Sequence, residues 1–363
     1  TGSFGRISVD GISISDNDAG NNNTIFGRNA ATSFGANNGT NIIVGPNAAD
    51  AMDGGESHNI AIGNHSMGDA DEGASGTIDF NVAIGNSTLG GGAFSGTDQL
   101  YGNIAIGYQA LTSTGTNGST GQIGIGFQAL EKVTTGPGNL AIGYNAGKLL
   151  TTGQYNLAIG HEALTTATEL DDNIAIGYRA LKVASGSAGT GRNIAIGYLA
   201  GKAVTNGEFN VLIGRSAGDQ QTTADANGGD SYNTYLGAFS GYYNETGRYN
   251  TYLGGSAGYG STGNSHSGNT GVGYNALVAV TTGGSNSTLG FGSGDALTTG
   301  HNNVAVGIGA IGVSTNVGYA VALGDTALGA GNATDAADGT VAIGSSALRV
   351  LTSGAANVAI GKD

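Results

Sequence analysis

The sequence predicts an all-β chain folded as a parallel β-solenoid, and three observations support this fold. The phrase Asn-(Ile/Val/Leu)-Ala-Ile-Gly recurs along the 363 residues, and its final Gly is the anchor of 19 copies. Nine of the 18 spacings between anchors equal 17 residues, and none is shorter. Residues before each anchor alternate in character, as strand side chains do, and show no helical period. A unit of this length suits one coil of a solenoid with a 17-residue minimum repeat and about 19 coils.

Composition excludes several other classes of protein. Gly is abundant at 71 residues, but there are only two Pro and no G-X-Y period, which excludes collagen. A hydrophobic content of 39% is too high for simple disorder, and no apolar run approaches the ~20 residues that span a bilayer. The formal charge of −14 argues against nucleic acid and anionic membranes as partners. We therefore predict no nucleic-acid partner and no membrane insertion.

The residues one and three before each anchor are mostly aliphatic and lie on the same strand face. The residue directly before the anchor is always apolar, and the residue three before it is Ile, Val or Leu in most copies. The polar exceptions at the latter position are Thr24, Thr234, Thr251, Thr270 and Ser287. We expect pairs such as Ile60/Ile62 and Ile104/Ile106 to stack into the interior of the coil. In a solenoid, Ile62, Ile84 and Ile106 must then be neighbours in successive coils.

Asn stands four residues before the anchor in 16 of the 19 copies. This column predicts an amide ladder, in which each side chain bonds its copy one coil away. Asn and Gly as ordinary turn residues are the alternative. The anchor Gly is expected to supply a corner with positive φ or a close backbone approach. The ladder residues are Asn59, Asn81, Asn103, Asn139, Asn156, Asn173 and Asn193.

The residue two before the anchor is Ala or Gly in 13 of 19 copies. It lies on the strand face opposite the Ile pair, and Ala is depleted on solvent-facing strands. We therefore predict that this column faces another chain in a parallel homotrimer. The alternative is a flattened coil in which Ala fills a second inner layer. The predicted interface residues are Ala61, Ala83, Ala105, Ala141, Ala158, Ala175 and Ala195.

The segment from Asn139 to Ala146, Asn-Leu-Ala-Ile-Gly-Tyr-Asn-Ala, resembles the β-roll heads of trimeric autotransporter adhesins. It is more similar to the N-x-A-I-G-Y-x-A-G repeats of phage tail fibres and related surface proteins. The resemblance covers residues 23–363 and implies a left-handed, trimeric β-roll, outside the cell or on a virion, used for attachment to a glycan or protein receptor. The minimum unit is longer than in the adhesin heads. No anchor domain, neck, stalk or chaperone is visible, so we expect a fragment or processed product of something longer.

The array departs from regularity in a few places. Residues 1–22 precede the array at 23–363, and the alternation of apolar and polar residues from Phe4 to Ile14 predicts a strand pair or N-terminal cap there. Longer loops at 68–80, 90–102 and 219–232 hold many acidic residues. Such loops are expected binding sites or tolerated excursions. Their acidic residues raise the possibility of calcium, but no EF-hand or calcium-binding nonapeptide repeat is present, and we predict no metal or cofactor.

Aromatic residues follow the anchor in seven copies: Tyr108, Phe127, Tyr144, Tyr178, Tyr198, Tyr274 and Phe291. Tyr108, Tyr144, Tyr178 and Tyr198 are candidates for surface binding by stacking on sugars, and packing at a corner is the alternative. A broken Thr column eight residues after the anchor makes ice binding a remote possibility. Its members are Thr134, Thr151, Thr168, Thr205, Thr222, Thr262, Thr281 and Thr298.

No catalytic constellation emerges from the sequence. Two matches to G-x-S-x-G, at Gly214 and Gly254, are simply the spacing of the repeat, and the five His are scattered. We predict that the chain is not an enzyme. The predicted function is a structural and adhesive fibre of a phage tail or a bacterial surface. A self-assembling extracellular filament is the alternative.

Overall fold

The computed structural model describes residues 22–34, 38–52, 55–70, 77–91, 99–113, 119–185, 190–222 and 230–362, and the backbone of 7–9 and 12–16. Contacts divide these residues into two units. The first extends to Ile176 and includes Ser185 and Thr190, and the second comprises Gly177–Ala184 and the chain from Gly191 onward. Apart from one 3-10 turn at Asp335–Ala337, the regular elements of the described residues are strands. The predicted all-β parallel solenoid is confirmed.

The described residues of the first unit include thirteen strands. They are β1 (Ile7–Val9), β2 (Ile12–Asp16), β3 (Thr24–Phe26), β4 (Ile42–Val44), β5 (Ile60–Ile62), β6 (Thr77–Asp79), β7 (Val82–Ile84), β8 (Gln99–Tyr101), β9 (Ile104–Ile106), β10 (Ile123–Ile125), β11 (Leu140–Ile142), β12 (Leu157–Ile159) and β13 (Ile174–Ile176). β1 and β2 are antiparallel, and β2 pairs antiparallel with β3. From β3 onward the anchor-bearing strands pair in parallel, each with the next.

Ten strands lie in the part of the second unit that the structure describes, each parallel to the next. They are β14 (Ile194–Ile196), β15 (Val211–Ile213), β16 (Thr234–Leu236), β17 (Thr251–Leu253), β18 (Thr270–Val272), β19 (Ser287–Leu289), β20 (Val304–Val306), β21 (Val321–Leu323), β22 (Val341–Ile343) and β23 (Val358–Ile360).

Successive coils, hereafter rungs, lie in register. Ile62 pairs with Ile84, and Ile84 pairs with Ile106, as the repeat requires. The insertions at 68–80 and 90–102 are more ordered than plain loops, because they contain β6 and β8, which pair in parallel with one another. Their residues 71–76 and 92–98, together with 223–229 of the third insertion, lie outside the described residues.

The assignment of inner and outer strand faces from the sequence was wrong. The column two before the anchor is buried within the single chain: Ala61, Ala83, Ala105, Ala141, Ala158, Ala175 and Ala195 are at most 1% exposed. Ile60 and Ile104, expected inside, are only half-buried, and Ile62 is 36% exposed. The Ala column is therefore not a subunit interface. Ala fills an inner layer, as the alternative proposed, while the Ile pair lies outside.

The close return of the chain explains why the inner face carries small residues in most rungs. At Gly124, a Cβ would lie 3.1 Å from the carbonyl oxygen of Ala129 and 3.3 Å from Cγ of Leu111. The return segment bends tightly because its residues two and four after the anchor adopt left-handed conformations, as at Gln128 (φ 53°) and Leu130 (φ 51°). Ala129 and Leu130 are fully buried. The core is thus a narrow space between the strand and its return segment.

Candidate functional site

The Asn column forms a ladder that joins three rungs at each step. The backbone N–H and Nδ2 of Asn156 both donate to Oδ1 of Asn139, at 2.9 and 3.0 Å. Nδ2 of Asn156 also donates to the carbonyl oxygen of Leu170, at 2.7 Å in the following rung. Its Oδ1 accepts from the N–H and Nδ2 of Asn173. The bond to the carbonyl of the following rung was not predicted, because Leu170 precedes the next anchor by seven residues of no fixed type.

The ladder is altered where Asn is replaced. Gln122 retains it, since its Oε1 accepts from the N–H of Asn139 and its Nε2 donates to the carbonyl of Gly136. At Ala320 only the backbone N–H bonds to Oδ1 of Asn303, at 2.9 Å. The Oγ1 of Thr340 is buried and has no hydrogen-bond partner among the described residues. The ladder is therefore weakest near the end of the second unit.

The anchor glycines form a second column in which no side chain fits. Gly143 has φ 137°, and a Cβ there would lie 2.5 Å from the carbonyl oxygen of Gly160 in the next rung. A side chain would strain the backbone and collide with a neighbouring peptide at once. This explains why the anchor is Gly in every copy.

The outer strand face carries the residues one and three before each anchor, hereafter the outer aliphatic columns. In β5, β7 and β9–β13 all fourteen of these side chains are Ile, Val or Leu. They are half-buried or exposed; Ile62 is 36% and Ile142 37% exposed. In the second unit, β16–β19 instead carry Thr or Ser three before the anchor, and the residue directly before it stays apolar. An apolar strip of this extent on one strand face is typical of an interaction surface.

One border of this face is the first ring column, the residues directly after the anchor. Centroids of Tyr108 and Phe127 lie 5.2 Å apart, those of Phe127 and Tyr144 5.1 Å, and those of Tyr144 and His161 4.9 Å. Each pair is stacked, so both faces of Tyr144 are covered by its neighbours. In the second unit Tyr178 stacks on Tyr198 at 5.1 Å. This geometry favours corner packing over the stacking of sugars on ring faces, and leaves ring edges for contacts.

The other border is a second ring column, five residues before the anchor, that sequence reasoning missed. Phe209 stacks on Tyr232 at 5.0 Å, and Tyr232 on Tyr249 at 5.9 Å. Arg192 lies over the Phe209 ring at 5.4 Å. The signal was weak because this corner is left-handed, with φ 58° at Phe209, and other copies place Gly there, as at Gly138. Both corners flanking the outer aliphatic columns therefore present rings.

The interior of the second unit contains a polar cluster with no counterpart in the Ala-filled rungs. Tyr235 and Tyr252 occupy the position of Ala and are fully buried. Nδ2 of Asn244 donates to the Tyr235 hydroxyl at 2.7 Å, and the Tyr252 hydroxyl lies 2.8 Å from Nδ1 of His266. Burial lowers the pKa of His266 to about 3 and raises the pKa of both phenols. The cluster is sealed from solvent, so it serves packing rather than binding.

Charged side chains are few, and the described ion pairs are local. Glu131 lies 2.9 Å from Lys132 and 3.3 Å from Lys148, and Asp219 lies 3.2 Å from Lys202. Asp295 occupies the position equivalent to Glu131 and Asp219, five after the anchor, and partial burial raises its pKa. Within the described ranges, no three His, Cys, Asp or Glu side chains form a group that would hold a metal ion.

The Thr column uses its hydroxyls within the fold. Oγ1 of Thr151 donates to the carbonyl oxygen of Thr168 at 3.0 Å, and Oγ1 of Thr281 to that of Thr298 at 3.0 Å. A hydroxyl that donates its hydrogen to the next rung cannot also donate it to an ordered water molecule. The geometry therefore weighs against the remote possibility of ice binding.

No family model, no curated protein and no solved structure matches this chain. The part of the chain that the structure describes contains no helix of the length and apolarity that crossing a bilayer requires.

Proposed function

We propose that the protein is a structural and adhesive fibre of a phage tail or a bacterial surface, outside the cell, with a mechanical role in attachment. The observation that carries this proposal is the continuity of the Asn ladder and the anchor column through successive rungs. Asn156, for example, hydrogen-bonds to Asn139 in the rung before it and to Asn173 in the rung after it. Such buried, rung-to-rung bonding resists bending and local opening. The resemblance of the repeat to tail-fibre and adhesin repeats supports the same role.

The partner is a second and third copy of the chain, in a parallel homotrimer that meets at the outer aliphatic columns. A protein of net charge −14 that leaves Ile62 and Ile142 more than a third exposed needs a partner for that face. Within the second unit the face changes from aliphatic in β14 and β15 to Thr or Ser in β16–β19, then back to Val in β20–β22. An identical chain in parallel register matches this pattern rung for rung.

Mass measurement of the purified protein tests the association. We expect a trimer, and Ile142→Glu should reduce it towards a monomer, since burying a carboxylate in an apolar contact is costly. The matched control is Thr152→Glu, an exposed residue away from the strand face. A monomeric parent protein would rule out the trimer, and electron micrographs with particles of indefinite length would favour the filament.

Attachment is assigned to groups displayed at the corners and insertions. Binding of the folded protein to a glycan array or to intact cells, compared with variants that lack 223–229 or 92–98, locates the receptor contacts. We expect at least one deletion to reduce binding while the trimer persists. Unchanged binding by both variants would exclude those insertions, and absence of binding by the parent protein would exclude the adhesive role.

A further inference from the structure

Tyrosines of the second unit lie in pairs on its surface, with one ring above the other. The pairs are Tyr178–Tyr198, Tyr232–Tyr249 and Tyr242–Tyr259. Their ring centroids lie 5.1, 5.9 and 5.3 Å apart, and their ring planes are within 14° of parallel. Both members of a pair occupy the same position in successive rungs, so the rungs hold the two phenols against each other.

The surface pairs are open to small reagents. Tyr198, Tyr232 and Tyr249 are 46–58% exposed, and the other three members are half-buried. The pair Tyr235–Tyr252 has the same 5.3 Å spacing but is fully buried. The chain thus contains an internal control in which stacking is present and access is not.

The first unit supplies the opposite control. There Phe127 stands between Tyr108 and Tyr144, and Tyr144 stacks next on His161. None of the ring pairs described in that unit joins two tyrosines. Exposure is comparable, since Tyr108 and Tyr144 are both 45% exposed. The two units therefore differ in whether a tyrosine stacks on another tyrosine, and not in the solvent exposure of the tyrosine rings.

We propose that the three surface pairs are sites of oxidative cross-linking, at which a peroxidase with hydrogen peroxide couples two phenols of successive rungs into dityrosine. Each phenol loses one electron and its hydroxyl proton to give a phenoxyl radical. The two radicals form one carbon–carbon bond between the ring positions next to the oxygens, and the hydrogens on those carbons move to the oxygens. The peroxide takes up the two electrons and two protons and leaves as two molecules of water.

Local geometry supports the coupling at Tyr232–Tyr249. The Tyr232 hydroxyl is hydrogen-bonded to the carboxylate of Asp230, which raises the pKa of the phenol. The same carboxylate is placed to receive the proton that leaves when the ring is oxidised. Adjacent strands are ~4.8 Å apart, so exposed rings reach one another by side-chain rotation without displacement of the backbone.

The consequence is a covalent link between rungs in a chain that has no Cys. Joining Tyr232 to Tyr249 closes a loop and restricts the unfolded chain, as a disulfide does. Such links would give the second unit resistance to unfolding in an oxidising environment, where the first unit gains none.

The experiment treats the folded, assembled protein with peroxidase and limiting hydrogen peroxide, then measures dityrosine fluorescence and identifies linked peptides by mass spectrometry. We expect links within one chain at the three surface pairs. A variant with Tyr198→Phe, Tyr249→Phe and Tyr259→Phe keeps the stacked rings and should lose most of the fluorescence, a several-fold decrease. The matched control, Tyr108→Phe with Tyr144→Phe, should leave the yield unchanged.

Three results with the folded protein would overturn the proposal. They are an undiminished yield in the triple variant, linked peptides spread equally over first-unit tyrosines, and products that run as joined chains on a denaturing gel. The same treatment in urea should abolish the selectivity, because the stacking that pairs the phenols is then lost. Selectivity that persists in urea would show that the fold does not direct the reaction.

Discussion

Rungs of the two units share one backbone but are filled differently. In β12 and β13 the inner strand position is Ala158 or Ala175, the residue four after the anchor is Leu164 or Leu181, and all four are essentially buried. In β16 and β17 it is Tyr235 or Tyr252, and the residue four after the anchor becomes Gly241 or Gly258. A Cβ on either Gly would collide with the tyrosine ring. A larger side chain on the strand is therefore compensated by a smaller residue in the return segment, while the hydrogen bonds of the Asn ladder are unchanged.

The exchange also brings polarity into the core. Ala needs no partner, whereas each buried phenol requires one, and Asn244 and His266 supply it. A buried polar group that loses its partner is costly, so the tyrosine rungs depend on specific neighbours in a way that Ala rungs do not. Two experiments separate the two kinds of rung, and two more test the Asn ladder that both kinds share.

Acid should distinguish the rungs most strongly. Because the pKa of His266 is about 3 in the folded protein and 6.5 in the unfolded chain, the unfolded chain binds the proton more tightly. The stability is complete above pH 6.5 and is lost as pH falls from 6.5 towards 3, by up to roughly 5 kcal/mol at 1.36 kcal/mol for each pH unit. Urea unfolding of the parent protein and His266→Gln across this range measures it. A constant difference between the two proteins would contradict the assignment.

Tyr235→Ala should leave a cavity beside Gly241 and destabilise the second unit by about 3–5 kcal/mol, as for other large aromatic truncations. Hydrogen exchange of β16 and β17 measures the local opening free energy. The control is Tyr155→Ala in the first unit, where the ring is 62% exposed. This substitution should change the local opening free energy by less than about 0.5 kcal/mol. Equal effects of the two substitutions would show that the core tyrosine is not a packing residue.

Asn156→Ala tests the element that both kinds of rung share. It removes the partner of the N–H of Asn173 and of the carbonyl of Leu170, and should cost about 3 kcal/mol. Exchange of the backbone amides in β12 and β13 should increase, while exposed Asn64→Ala leaves them unchanged. Protection that survives Asn156→Ala would mean that strand pairing alone holds the rungs.

Ala320→Asn should repair the ladder where it is interrupted. The new amide is placed to donate to Oδ1 of Asn303, which already accepts the backbone N–H of residue 320. We expect a gain of about 1 kcal/mol, measured as a rise in the urea midpoint. No gain, or a loss, would show that the site has adapted to Ala.

The sequence predicted the rungs but not their orientation. Contacts between successive rungs require Asn in the column of Asn156 and Gly in the column of Gly143. Because these residues recur, the repeat period is visible in the sequence without a structure. Alternation alone cannot say which side is inside, since Ala141 and Ile142 are both apolar. The inner side is the one that lies close to the return segment. That distance depends on the left-handed residues of the turn, such as Gln128, and the residue type at these positions varies from copy to copy.

Other features were visible in principle. The inner strand position carries a large residue in five copies, and six residues later each is followed by Ala or Gly: Ile25 by Ala31, Ile43 by Ala49, Leu212 by Gly218, Tyr235 by Gly241 and Tyr252 by Gly258. This size exchange indicates that the two positions face each other, and it would have placed the column inside. The second ring column was harder to predict, because a left-handed corner accepts Gly as readily as a ring.

The interchangeability of rungs has a consequence for inheritance. Gly143 and Gly160 occupy equivalent corners, and 17 residues separate them. Excising Tyr144 through Gly160, or copying it, re-creates the same junction and leaves Asn139 facing Asn173 across it. Unequal recombination within such a gene would then lengthen or shorten the product by whole steps while each intermediate remains foldable.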